Sequence, residues 1–89
     1  MDLNEIQTLI NNGSIEKAHC ALDEYIKAHP NSDTAYFLLG NIHRRREDWQ
    51  SAINAFQKAA DLNPDSPAKT AKENIYKILD FFNKDLFNQ

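Results

Sequence analysis

A chain of 89 residues is enough for one small domain, near the lower size at which a fold holds without metal, disulfide or partner. With 42% apolar and 26% charged residues the composition is that of a globular protein, and two glycines with three prolines leave too few turns for an all-β fold. The net charge of −3 argues against nucleic-acid binding by bulk charge, and no stretch reaches the roughly 18 apolar residues of a membrane span.

Taken in chain order, the apolar spacing predicts five helices. Leu3, Ile6, Leu9 and Ile10 give the first. Asn11-Asn12-Gly13-Ser14 ends it, with Gly13 suited to a left-handed position and Ser14 to the next N-cap. Ala18, Ala21, Leu22, Tyr25 and Ile26 form the stripe of a second helix reaching about Ala28, which His29-Pro30-Asn31-Ser32 stops. Ser32 or Asp33 caps a third, through Tyr36, Leu39, Gly40, Ile42 and His43 to about Arg46. Asp48 caps a fourth that is dominated by Trp49, Ala52, Ile53, Phe56, Ala59, Ala60 and Leu62. Ser66-Pro67 then opens a fifth, with proline in the first turn, where a missing N–H costs nothing. The links are short, so successive helices are expected to pack antiparallel as hairpins.

The chain also repeats itself at an offset of 34. Pro30 recurs as Pro64, Ser32 as Ser66, Ala18 as Ala52, Ile15 as Trp49 and Leu22 as Phe56. A period in this range marks two-helix units that cannot bury their apolar faces alone. Tyr36-Phe37-Leu38-Leu39-Gly40-Asn41-Ile42-His43, then Ala52-Ile53-Asn54-Ala55-Phe56, then Pro64, resembles the tetratricopeptide repeat (TPR). The resemblance implies a right-handed α-solenoid fragment: a degenerate first repeat (1–32), a well-matched repeat (33–66) and a long C-terminal capping helix (67–87), within one domain, 1–89. Gly40 costs roughly 0.5–1 kcal/mol relative to Ala inside a helix, which fits a position where a neighbouring backbone comes close. Where the first repeat has Gly13 the second has Glu47, so a side chain stands in a turn that wants a left-handed residue, at about 1–2 kcal/mol.

The fifth helix leaves the register, because Leu39 and Gly40 carried forward by the period land on Glu73 and Asn74. Its apolar residues are Ala68, Ala71, Ile75, Ile78, Leu79, Phe82 and Leu86. At about 100° per residue they lie within roughly 60° of Ile75, and a slip of about one residue turns them onto the fourth helix.

No catalytic constellation is visible. His19 and Cys20 are adjacent and so diverge by about 100° on a helix, and no metal-ligand spacing occurs. There is no nucleophile elbow and no phosphate-cradling glycine loop. The pairs Asp23-Glu24 and Glu47-Asp48 read as solvated neighbours. The expectation is a chain that is not an enzyme and takes no cofactor or metal. Met1 to Asn12 lacks the basic start and apolar run of a secretion signal, and Cys20 has no partner for an intramolecular disulfide, so a soluble cytoplasmic protein is expected.

Binding is the expected function. In TPR proteins the first helix of each hairpin lines a concave groove, and the resemblance places Leu3, Gln7, Ile10 and Asn11, then Thr34, Phe37, Asn41, Arg44 and Arg45, at its slots. Asn41 with Arg44 or Arg45 resembles the amide and cations that some family members use to hold a peptide carboxylate; the first helix supplies no cation. Two plainer readings stand beside this one. Arg44-Arg45-Arg46 suits a helix C-terminus and faces Glu47 and Asp48, and Leu3, Ile10 and Phe37 can simply pack on the fifth helix or on each other. The alternative function is a homodimer through the fifth helix, which at about 1.5 Å per residue overhangs the fourth by about 10 Å. Tyr76, Phe81, Leu86 and Phe87 are its candidate contacts.

Overall fold

In the computed structural model the backbone is described for residues 1–87 and the side chains for residues 1–80. The described chain is all-helical: α1 (Leu3–Asn11), α2 (Ile15–Ala28), α3 (Asp33–Arg45), α4 (Trp49–Leu62) and α5 (Ala68–Phe87). Each start has a local cause. Asp2 accepts from the Glu5 amide at 2.8 Å, Ser32 from the Ala35 amide at 3.2 Å, and Asp48 from the Ser51 amide at 3.3 Å. Hydrogen bonding from Ser51 holds the Asp48 carboxylate below the usual carboxylate range. Buried Ser66 accepts from the Ala68 amide at 3.1 Å, so α5 begins one residue after Pro67, whose carbonyl takes the amide of Ala71. Ser14 departs from expectation. It occupies the N-cap of α2, but its side chain makes no capping bond.

The two turns that the period aligns adopt the same backbone hand. Gly13 has φ of 83° and Glu47 has φ of 59°, so the second turn holds a β-carbon in left-handed space.

Two apolar clusters form the interior. Ile6 and Ile10 of α1, Ala18 and Leu22 of α2, and Ala35, Leu38 and Ile42 of α3 close the first. Ala52, Ile53, Phe56 and Ala59 of α4 with Ala68 and Ile75 of α5 make the second. Phe37 packs against both, and its ring lies 5.6 Å from that of Phe56 at a tilt of 44°. The helices pair as α1 on α2 and α3 on α4, with α3 resting on both α1 and α2, and α5 on α4. Glu73 and Asn74 face solvent while Ile75 is fully buried, as the shifted register of the last helix requires.

The reason for Gly40 differs from the one its position suggests. A β-carbon there would lie 2.8 Å from Cζ of Phe56 and closer still to Cε1 and Cδ1. The close neighbour is an aromatic ring and not a backbone. Phe56 has no exposed surface, and it fills the space that glycine leaves on α3.

Candidate functional site

Helices α1 and α3 lie side by side, the arrangement that a groove lined by the first helix of each hairpin requires. On α3, Thr34, Phe37, Asn41, Arg44 and Arg45 recur at intervals of three and four, which sets them along one face. Ala35, Leu38 and Ile42, beside that face, are buried. Thr34, Arg44 and Arg45 are exposed, and Phe37 and Asn41 are half-buried. Neither Arg44 nor Arg45 makes an ion pair with another described residue. Both guanidinium groups stand at the C-terminal end of α3, where the helix dipole favours positive charge.

The α1 side is less open. Leu3 is half-buried against the first apolar cluster. Gln7 donates through Nε2 to Oδ1 of Asn11 at 3.0 Å, so part of its amide is already engaged along the helix. Ile10 must be corrected. It is only 3% exposed and belongs to the core, because the α1 stripe that faces α2 and α3 includes it. It offers no side chain to a partner. Phe37 is in part a core residue as well, since its ring packs on Phe56.

Arg46 is placed differently from its two neighbours. It does not pair with Glu47 or Asp48; its Nη1 donates to Nδ1 of His19 on α2 at 2.9 Å. His19 and His43 meet edge to face with ring centroids 5.6 Å apart. This cluster joins residues 24 and 27 positions apart, so no local spacing announced it. Among the described residues no group of three histidines, cysteines or carboxylates is arranged to hold a metal.

On α5, Tyr76 is 52% exposed. Phe81, Phe82, Leu86 and Phe87 fall outside the residues whose side chains are described. Among the described residues, no helix is long and apolar enough to cross a membrane.

Residues 3–67 match the family described as Tetratricopeptide repeat. The chain belongs to the tetratricopeptide repeat family. It is similar to Tetratricopeptide repeat protein 12 of Mus musculus, at 29% identity over 75 residues, which are 84% of this chain and 10% of that protein. The chain therefore spans about a tenth of the length of the curated relative it matches. It is also similar to the solution NMR structure of Bacteroides fragilis protein BF1650, at 48% identity and a TM-score of 0.86, across 100% of this chain and 92% of that one. TPR domains generally mediate protein–protein interactions and are typically non-catalytic.

Proposed function

We propose that this TPR chain is a non-catalytic interaction module, organised as repeat units 1–32 and 33–66 with a cap at 67–87. Its partner is an extended peptide or a helix lying along α1 and α3. The observation that carries the reading is the α3 face, where two arginines without an ion-pair partner among the described residues stand beyond a half-buried amide and an aromatic edge. Leu3 and Gln7 contribute the opposite wall. The α3 face thus combines apolar contact near Phe37, hydrogen bonding at Asn41 and attraction for a carboxylate at Arg44 and Arg45. The exposed, unpaired thiol of Cys20 supports a reducing, cytoplasmic setting.

Capture from native extract by wild type and by the Arg44→Ala/Arg45→Ala variant, read by mass spectrometry, tests this. Partners recovered by wild type and lost by a folded variant support the groove. Equal recovery by both removes the arginines from the function.

A second reading rests on α5. The helix has 20 residues against 14 in α4, and Tyr76 on it is more than half exposed. A homodimer through Tyr76, with Phe81, Leu86 and Phe87, would cover that side. Sedimentation over a range of concentrations tests it, and a concentration-independent monomer rules it out.

A further inference from the structure

We propose that the contact between α2 and α3 is a proton-sensitive latch between the two hairpins: protonation of the His19–His43 pair breaks the Arg46–His19 bond and loosens the second hairpin from the first.

The geometry fixes the proton on His19. A guanidinium is always charged and can only donate, so the 2.9 Å contact from Arg46 Nη1 requires an unprotonated Nδ1 on His19. The imidazole is then neutral, with its hydrogen on Nε2. That nitrogen faces Oδ1 of Asp23 at 3.6 Å, too far for a hydrogen bond but within ion-pair reach. A second proton on His19 must go to Nδ1, and there it displaces the arginine.

Charged groups surround the pair. His43 of α3 lies edge-on to the His19 ring, and Arg46, the C-cap of α3, completes a group of three nitrogen bases and cations. Two carboxylates face them, Asp23 from α2 and Asp48 from the start of α4. The Asp23 side chain is 58% exposed, so water screens most of its attraction. Among the described residues, neither α1 nor α5 places a hydrogen bond or ion pair on either ring. Burial first, and then His19 and Arg46, hold His43 below the usual histidine range, with Asp48 and Asp23 opposing.

The sign of the pH dependence follows. The unfolded chain binds the His43 proton more readily than the folded one. The stabilisation is therefore complete above the unfolded value of about 6.5 and is lost as pH falls below it. The latch joins hairpin to hairpin across the contact of α2 with α3. It does not depend on what the groove binds.

Urea unfolding of the full chain between about pH 7.5 and pH 5.5, with histidine ring nitrogen shifts read alongside, tests the proposal. The unfolding equilibrium constant should rise several-fold on acidification, bounded at about tenfold per pH unit for each proton taken up. His29→Gln, at the remaining histidine, should keep that response, and the His19→Gln/His43→Gln variant should flatten it. Ring shifts in wild type should show His19 Nδ1 unprotonated at the upper pH, a readout that survives failure of the double variant to fold. Equal pH responses in wild type and double variant, or a proton on His19 Nδ1 at the upper pH, would overturn the latch.

Discussion

Gly40→Ala sets helix propensity against packing, and the structure says which wins. Inside an exposed helix the substitution stabilises by about 0.5–1 kcal/mol. Here the new methyl would meet the Phe56 ring at 2.8 Å from Cζ and closer to two other ring atoms. Ordinary carbon contacts are about 3.5–4.0 Å, so something must move by about 1 Å. The ring has little freedom to yield, since Phe56 is wholly buried and Phe37 lies against it. Relief then requires α3 to shift from α4, and overpacking of this kind costs about 1–3 kcal/mol. The balance is a net loss of up to about 2.5 kcal/mol, or a Tm lower by up to roughly 20 °C in a domain of this size. Thermal melting followed by circular dichroism measures it. In a Phe56→Leu background the ring is absent, and the same substitution should become neutral or stabilising, giving a coupling in the double-mutant cycle. A Gly40→Ala protein that melts above the wild-type temperature refutes the packing argument.

Four further substitutions separate what the structure distinguishes. Ser32→Ala should cost about 1 kcal/mol and Ser14→Ala less than about 0.5, because only Ser32 bonds a helix amide; urea titrations of both decide it. Glu47→Gly relieves a β-carbon at φ of 59° and should raise the unfolding free energy by up to about 1 kcal/mol, and a lower denaturation midpoint would contradict the strain. Ala52→Leu adds volume at a fully buried position and should cost about 1–3 kcal/mol, while an unchanged Tm would place Ala52 outside the helix contact.

Much of this fold is legible because its signals are local. Proline, asparagine and serine stops with 3.6-residue apolar spacing place the helix ends within a residue or two, as at Ala28, Trp49 and Leu62. The turn conformation at Glu47 follows from its alignment with Gly13, since a repeated backbone imposes one φ on unlike residues. The shifted face of α5 could be read because Glu73 and Asn74 cannot be buried without partners, whereas Ile75 can.

What was missed depends on side chains meeting across helices. Gly40 signals a close neighbour, but only the Phe56 rotamer shows that the neighbour is a ring. Ser14 has the right residue type for a cap, yet its side chain makes no bond there. Ile10 sits at a spacing compatible with groove or core, and the placement of α1 against both α2 and α3 assigns it to the core. The His19–His43–Arg46 cluster has no sequence signal at all, because it arises where two repeats touch.

The central claim is that a partner lies along α1 and α3. Titrating the isotopically labelled domain with a partner segment recovered by capture, and mapping amide and side-chain shifts by NMR, tests it most directly. The account predicts perturbations centred on Phe37, Asn41, Arg44 and Arg45 and extending to Leu3 and Gln7. Perturbations confined to the outer faces of α2 and α4 would contradict it.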